Sequence, residues 1–264
     1  MPRALVLVLG CLGLAACTPD PVKWDSEQRT DTPVPPGARL ALGTSGMPVM
    51  APAWQPPALP TGTPQCAGSL VATTARGDTA YAAWWAPRAD SNALLVVARS
   101  VDRGHSWHAP EIADSTDRGR NGCGRPAPFI AADTTNGYVH VVYFMVAAEG
   151  PGVFFTHSMG AGVMFHSPVP IVYGERVSAS AVSGNGDTVA VAYLDPNSSV
   201  PQLWLALSRT TGHIFESRSA VSPATEQASR PAVAVRGHQV SVGWFETGRD
   251  GGPGVMVVRT GEWQ

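Results

Sequence analysis

Charged side chains are scarce in this 264-residue chain: aspartate, glutamate, lysine and arginine make up 14% of it, well below the quarter that is usual. Eighteen basic and twenty acidic residues leave a formal net charge of −2, and no basic run occurs. Proteins that bind nucleic acid need a basic patch to neutralise phosphates. We therefore expect no nucleic-acid partner. The 44% hydrophobic content instead predicts a compact domain with a sizeable core.

Helical periodicity is also missing from the chain beyond its first residues. No later segment repeats its apolar residues every 3.6 positions, and none approaches the roughly 20 apolar residues of a membrane span. Short alternating runs such as Val189-Ala190-Val191-Ala192 predict β-strands instead. The expected fold class is all-β, with a soluble domain facing the cell envelope.

The first residues have the organisation of an export signal. Arg3 supplies a positive charge, residues 4–14 form an apolar run, and Leu14-Ala15-Ala16-Cys17 follows. This last segment resembles a bacterial lipobox. The resemblance implies that residues 1–16 are a lipoprotein signal peptide and that Cys17 carries the lipid that anchors the protein to a membrane. With Thr18 after the cysteine, it also implies an outer membrane where the organism has one; an ordinary secretory signal is the alternative.

Proline crowds the segment after the signal peptide, where it blocks helix interiors and removes backbone donors. Residues 17–64 are therefore predicted to be a lipid-anchored tether, with one strand-like patch at Arg39-Leu40-Ala41-Leu42. Residues 65–264 are predicted to form the folded domain.

Four repeats follow Cys66. The second predicted strand of each unit ends in an aromatic residue and a large apolar one, at intervals of 50 to 59 residues: Trp84-Trp85, Tyr143-Phe144, Tyr193-Leu194 and Trp244-Phe245. This period is typical of one four-stranded blade of a β-propeller. The last unit stops before a fourth strand, which another part of the chain must supply. Residues 39–42 are the candidate; a hidden fifth or sixth blade, or closure by dimerisation, stays open.

The segment Ser100-Val101-Asp102-Arg103-Gly104-His105-Ser106-Trp107 resembles the Asp-box of sialidase-like β-propellers, also called the BNR repeat. Short polar side chains can bond nearby backbone amides there, and glycine supplies a positive φ. The resemblance implies a turn between the third and fourth strands of a blade, built on Ser100, Asp102, Gly104 and Trp107. Residues 158–165 and 208–215 are predicted to be degenerate copies.

Three arginines begin the first strands of successive units: Arg125, Arg176 and Arg230. Equivalent positions on inner strands converge near a propeller axis, and arginine presents a planar fork that suits a carboxylate. Sialidases hold their substrate carboxylate with three arginines, so the resemblance implies an acidic-ligand site here. The alternative is that each arginine pairs locally within its own blade.

Catalysis by a sialidase requires a tyrosine nucleophile paired with a glutamate, and an aspartate acid/base. No segment matches that arrangement, so we expect a non-catalytic module that binds an envelope protein or a glycan, without a cofactor. A sialidase-like glycoside hydrolase acting on acidic sugars is one alternative. A second is a copper site, since soft ligands flank the second box: His157, Met159, Met164 and His166, with His105 and His108 in the first box.

Two cysteines remain once Cys11 leaves with the signal peptide and Cys17 is lipidated. Cys66 and Cys123 then form the only possible pair, in a compartment that permits disulfides. Such a bridge would stabilise the fold by roughly 4 kcal/mol; two free thiols are the alternative. A thiol titration of the denatured, unreduced mature protein is expected to find no free sulfhydryl. Two free sulfhydryls would contradict the bridge.

Overall fold

The computed structural model of the chain describes residues 20–30, 39–42, 48–224, 228–246 and 255–264. The predicted signal peptide (residues 1–16) and Cys17 lie outside the described residues, so lipidation stays a prediction. In the described ranges the chain forms nineteen β-strands and one 3₁₀-helix at Gly122–Gly124, and none of their helices is long and apolar enough to cross a membrane.

The strands are numbered in chain order, and their bounds are as follows: β1 Val22–Trp24, β2 Gln28–Thr30, β3 Arg39–Leu42, β4 Pro48–Ala51, β5 Val71–Thr74, β6 Ala80–Pro87, β7 Ala93–Ser100, β8 Glu111–Asp114, β9 Phe129–Ala132, β10 Val139–Ala147, β11 Gly150–Ser158, β12 Val169–Tyr173, β13 Ser180–Asn185, β14 Thr188–Leu194, β15 Leu203–Ser208, β16 Ser217–Ala220, β17 Ala228–Arg236, β18 Gln239–Glu246 and β19 Val255–Trp263.

Four antiparallel sheets form the blades of a propeller. Blade 1 is β5 to β8, blade 2 is β9 to β12, blade 3 is β13 to β16, and blade 4 contains β17 to β19. The first strand of each blade packs against the first strand of the next: β5 on β9, β9 on β13, and β13 on β17. The predicted all-β propeller is therefore confirmed, and the alternating runs form strands that are buried on both faces because each blade is packed between two others.

The fourth strand of blade 4 comes from the N-terminal segment, at Val22–Trp24. β1 pairs antiparallel with β19, with Val22 opposite Trp263, and β2 pairs with the earlier part of β19. Val22 is 2% exposed, and the Trp24 indole donates to Ser219 Oγ of blade 3 at 2.9 Å. The closing strand is thus not residues 39–42, because the buried Val22 and the tryptophan supply the apolar contacts that this edge of blade 4 requires.

Residues 39–42 instead form β3 of a two-stranded hairpin with β4. β3 packs against β17 of blade 4, and Met50 of β4 covers Ala232 and Ala234. The chain then passes to blade 1, where Trp54 packs on a core cluster that contains Trp84. The hairpin and the segment after it therefore occupy the position of a degenerate fifth blade. The described parts of the predicted tether, residues 17–64, therefore belong largely to the propeller.

Large side chains fill the interfaces between blades. Trp85 and Tyr143 share a cluster between blades 1 and 2, with their rings 5.7 Å apart and edge to face. Phe155 lies in the cluster between blades 2 and 3, and Trp244 in the one between blades 3 and 4. Each fully buried ring of this size contributes about 1.5–3 kcal/mol. The blades are thus held together mainly by apolar packing.

A disulfide joins Cys66 to Cys123, with their Cα atoms 5.0 Å apart. Cys66 precedes the first strand of blade 1, and Cys123 lies in the 3₁₀-helix that precedes blade 2. Beside it, the Trp85 indole donates to the carbonyl of Pro126 at 2.8 Å. The predicted pairing is present and links the entries of two neighbouring blades.

The Asp-box turn joins β7 to β8, the third and fourth strands of blade 1, as its resemblance implied. Ser100 Oγ accepts from the Gly104 amide at 2.7 Å, and the Asp102 carboxylate accepts from the Ser106 amide at 2.9 Å. Hydrogen bonds from Ser106 and then Ser100 hold the pKa of Asp102 well below its usual range. The Trp107 indole donates to Ala58 O at 2.8 Å, which fastens the fifth-blade segment to blade 1.

The degenerate boxes keep the central bond of the turn. The amides of Gly162 and Gly212 each donate to the serine four residues earlier, at 3.0 Å in both turns. In the third box Thr210 replaces the aspartate, and its Oγ1 accepts from the Ile214 amide at 2.9 Å. A hydroxyl is therefore enough to close this turn.

The central glycine of each box contacts a ring from the preceding element. A Cβ on Gly104 would lie 2.9 Å from Trp54, and one on Gly162 would lie 2.9 Å from Tyr81 of blade 1. A Cβ on Gly212 would overlap the Phe155 ring of blade 2. All three glycines also have positive φ. The boxes therefore require glycine for the turn and for close contact between blades.

Replacing Gly212 with alanine tests this double requirement. Its φ of +92° costs an alanine about 1–3 kcal/mol, and the overlap with Phe155 adds a similar overpacking cost of about 1–3 kcal/mol. Gly137→Ala is the matched control, because Gly137 has φ +78° and open space around it. Chemical denaturation should show a clearly larger loss of unfolding free energy for Gly212→Ala than for Gly137→Ala. Equal losses would contradict the contact.

Candidate functional site

The propeller has two faces with different chemistry. In blades 1 to 3 the turn between the first two strands and the box turn lie on the same side, which we call the box face. Backbone bonds join these turns, from Arg103 N to Asp78 O at 2.8 Å and from Thr211 N to Asp187 O at 2.9 Å. Arg125 and Arg176 precede β9 and β13, and Arg230 lies near the start of β17, all on the opposite side, which we call the entry face.

Each of the three predicted arginines contacts a local partner. Arg125 forms an ion pair of 2.7 Å with Asp117. Arg176 is exposed and donates to Ser199 O of its own blade at 3.1 Å. The Arg230 guanidinium lies 4.9 Å from the centre of the Phe245 ring, also in its own blade. All three contacts are local, although Arg125 reaches a carboxylate that lies between two blades. The role of the three arginines in binding an acidic ligand stays a prediction.

Asp117, the ion-pair partner of Arg125, is itself buried and hydrogen-bonded. Its carboxylate is 2% exposed and accepts from the amides of Ala93 in blade 1 and Val146 in blade 2, both at 3.2 Å. A buried carboxylate is stable only when it is paired and hydrogen-bonded. Arg125 therefore neutralises a carboxylate that joins two blades, a role that the sequence did not reveal because Asp117 lies in an irregular connection.

The tyrosines do not form the pair that a sialidase needs. All five lie in the described ranges, and there only the Tyr143 hydroxyl makes a hydrogen bond, to Asp114 at 2.5 Å. Burial, and then the nearby Asp114 carboxylate, raises the pKa of Tyr143 well above its usual range. Asp114 ends β8 of blade 1 and Tyr143 lies in β10 of blade 2. The pair is a buried link between blades.

Tyr143→Phe should destabilise the protein by about 1–3 kcal/mol at neutral pH, because the buried Asp114 loses a donor. Tyr138→Phe is the control, since no hydrogen bond is lost there. The raised pKa means that the contribution of Tyr143 is complete below pH 10, the ordinary tyrosine pKa, and is lost as the pH rises beyond it. In urea denaturation, the difference in unfolding free energy between wild type and Tyr143→Phe should become smaller above pH 10. A difference that does not change with pH would contradict the role of the Tyr143 hydroxyl.

A polar groove lies between blades 1 and 2 on the box face. Its volume is about 350 Å³, and it is lined by Ala75, Arg76, Thr79, Tyr81, Arg99, Ala132, Asp133, Thr134, Thr135, Asn136, Gly137 and Ala161. Two buried polar atoms of this lining, Arg99 Nε and Asp133 Oδ2, have no hydrogen-bond partner. The other oxygen of Asp133 accepts from the Thr135 amide at 2.7 Å. Two lining residues of the groove thus carry a buried polar atom whose hydrogen-bonding capacity is unused.

Three histidines meet on the same face where blades 2 and 3 join. His157 is near the end of β11, His166 follows the second box, and His213 lies in the third box. One ring nitrogen of each lies within 4.8 Å of those of the other two. The His157 ring is stacked on that of His166, with centroids 4.5 Å apart, and meets that of His213 edge to face at 4.7 Å.

The protonation of the cluster follows from its surroundings. His157 is 1% exposed and neither ring nitrogen has a hydrogen-bond partner. Burial, together with His166 and His213, lowers its pKa to about 4, so the ring is neutral at neutral pH. His213 Nδ1 lies 2.6 Å from Thr210 O. A carbonyl can only accept, so Nδ1 carries the proton and Nε2 has a free lone pair.

Part of this cluster matches the histidines and methionines predicted around the second box. His157 and His166 are brought together, whereas Met159 and Met164 have exposed side chains. His105 and His108 lie in the first box, outside the cluster. The sequence analysis missed His213 because it lies 47 residues beyond His166, in another blade. The signal that could have pointed to His213 is its position directly after the box glycine, which it shares with His105.

Comparisons with known proteins support the fold. No protein-family model matches the chain, and no curated protein matches it in sequence. A solved protein of unknown function from Dyadobacter fermentans is 14% identical, with a TM-score of 0.54 over 73% of this chain and 52% of that one. This chain therefore spans about half the length of that protein.

Two enzymes are also similar, at lower scores. The α-L-arabinofuranosidase of Podospora anserina is 11% identical, with a TM-score of 0.44 over 83% of this chain and 69% of its own. The Trypanosoma rangeli sialidase is 12% identical, with a TM-score of 0.45 over 84% of this chain and 39% of its own. At these identities and TM-scores the two likenesses say nothing about the activity of this chain.

Proposed function

We propose that this protein is a non-catalytic, carbohydrate-binding propeller displayed on the cell envelope through a lipid on Cys17. The observation that carries the proposal is the groove between blades 1 and 2, with its unpartnered Arg99 Nε and Asp133 Oδ2. A buried polar atom without a partner costs about 1–3 kcal/mol. A sugar hydroxyl can both donate and accept, so a hydroxyl-rich ligand carries the partners that these two atoms lack.

The size and lining of the groove support a saccharide ligand. Its volume of about 350 Å³ lies within the usual range of small-ligand pockets, roughly 300–1,000 Å³. The lining of the groove includes the backbone and polar side chains of Thr134, Thr135 and Asn136, and the exposed Arg76. These groups suit a polar, hydroxyl-rich molecule better than an apolar one.

The absence of a sialidase-type pair in the described residues supports binding without turnover, because the hydroxyl of Tyr143 is committed to Asp114 in the core. A hydrolase acting on acidic sugars would also need the entry-face arginines to leave their present partners. An envelope protein as the partner remains the alternative to a glycan.

The closing strand also determines how the anchor would hold the domain. β1 starts at Val22, opposite the end of β19 on the box face. Four residues lie between Cys17 and Val22, and an extended chain spans at most about 3.6 Å per residue. A lipid on Cys17 would therefore hold the box face close to the membrane surface, within reach of saccharides of the envelope.

A thermal-shift screen against neutral sugars, uronic acids and sialic acid tests this proposal. A bound ligand should raise the melting temperature, since a hundredfold excess over Kd contributes about 2.7 kcal/mol. Arg99→Gln and Asp133→Asn should each abolish the shift. Arg176→Ala and Arg230→Ala are the controls on the entry face and should retain it, and no variant or wild type should release product from a fluorogenic sialoside.

Each other result has a definite meaning. If only the entry-face substitutions abolish the shift, the ligand lies at the predicted arginine site and the groove assignment is wrong. If no sugar shifts the melt, the carbohydrate proposal is contradicted and a protein partner is favoured. Release of product would favour the hydrolase.

A further inference from the structure

We propose that His157, His166 and His213 form a binding site for a divalent first-row transition metal ion, such as Zn²⁺ or Cu²⁺, at the junction of blades 2 and 3. The proposal is independent of the carbohydrate groove, which lies at the neighbouring junction. It rests on the distances between the three rings, on the buried His157 side chain and on the orientation of His213.

The three rings are close enough to share one ion. Zn²⁺ binds imidazole nitrogen at about 2.0–2.1 Å in tetrahedral geometry, which places ligand nitrogens about 3.3 Å apart. Their present separations are 4.8 Å or less. His166 and His213 reach solvent, so small adjustments of these side chains, which keep the bond from His213 Nδ1 to Thr210 O, can bring one nitrogen of each onto an ion held against the buried His157.

His157 requires a partner that the protein itself does not provide. Both of its ring nitrogens are buried and unbonded, at a cost comparable to other unsatisfied polar groups, about 1–3 kcal/mol. The ring is surrounded by Phe155, Tyr138 and the other two cluster histidines. A metal ion at the cluster would coordinate one of these nitrogens, and the neutral ring is the form that binds metal.

His213 is already oriented as metal-bound histidines usually are. Such residues typically donate their second ring N–H to a carbonyl, which fixes the tautomer and the direction of the ligating nitrogen. The bond from His213 Nδ1 to Thr210 O supplies this contact. Nε2 is therefore the nitrogen available to the ion.

The three cluster histidines have counterparts at the junction of blades 1 and 2. These counterparts show that the repeat does not require histidine at all three positions. The bond from His166 N to His157 O, 2.9 Å, has its counterpart from His108 N to Arg99 O, 2.8 Å. The counterpart of His213 in the second box is Val163, which lies beside His108 and Arg99. Among the described blades, three histidines therefore lie together only at the junction of blades 2 and 3, as a metal site would require.

Three neutral imidazoles favour Zn²⁺ or Cu²⁺ over Mg²⁺ and Ca²⁺, which prefer oxygen ligands. Because two of the three ligands are at the surface, the remaining coordination position faces solvent and would take water. The exposed Met159 and Met164 belong to the same turn as His166, but the three histidines alone define the proposed ligand set.

Isothermal titration of the mature chain with Zn²⁺ tests the site, using protein purified without a polyhistidine tag and stripped with a chelator. We expect one equivalent to bind. His166→Ala and His213→Ala should each weaken binding by at least about tenfold, since losing even an outer contact of a metal site costs that much. His105→Ala is the matched control, because His105 holds the position of His213 in the first box, and it should bind as wild type does.

Melting curves recorded in chelator show whether each variant is folded. We expect both His166→Ala and His213→Ala to be folded, because these side chains are at the surface. Added Zn²⁺ should then raise the melting temperature of wild type and His105→Ala only, and Cu²⁺ bound to wild type should show imidazole nitrogen splitting in its electron paramagnetic resonance spectrum. No saturable Zn²⁺ binding, or equal weakening in His105→Ala and His213→Ala, would overturn the proposal.

Discussion

The pairing of β1 with β19 is the constraint on which the rest of the propeller depends. Blade 4 has only three strands from the C-terminal part of the chain, and its outer edge would expose unpaired backbone groups without Val22–Trp24. By supplying that edge from the opposite end of the sequence, the chain closes its ring through main-chain hydrogen bonds. Trp24 adds a bond to blade 3, so the closing strand also fastens two blades.

The box turns have a second role that follows from this closed ring. Each box glycine contacts a ring from the preceding element, so the turn helps to position neighbouring blades as well as two strands. Residues flanking the turns therefore meet those of the next blade. At one junction these are Arg99, His108 and Val163, and at the next they are His157, His166 and His213. The same backbone thus presents different side-chain chemistry at each junction.

Buried carboxylates determine the partners of Arg125 and Tyr143 between blades 1 and 2. Asp117 and Asp114 lie between blades 1 and 2, and each needs donors because a buried charge is costly without them. Arg125 and Tyr143 are committed to these two aspartates. Repeat position placed the three arginines near the starts of first strands, but it could not show that Arg125 would meet Asp117, because Asp117 lies outside the repeating elements.

The sequence by itself determined the strand pattern, the four repeats, the place of the Asp-box between third and fourth strands, and the cysteine pair. These are local or periodic features, and the side chains that produce them lie within a few residues or recur at one interval. Only the tertiary structure decided which N-terminal segment closes the ring, that residues 39–42 form a fifth-blade hairpin, and that His213 joins His157 and His166. Those outcomes depend on packing between residues far apart in the chain, where apolar burial and the reach of each side chain, rather than local pattern, select the partner.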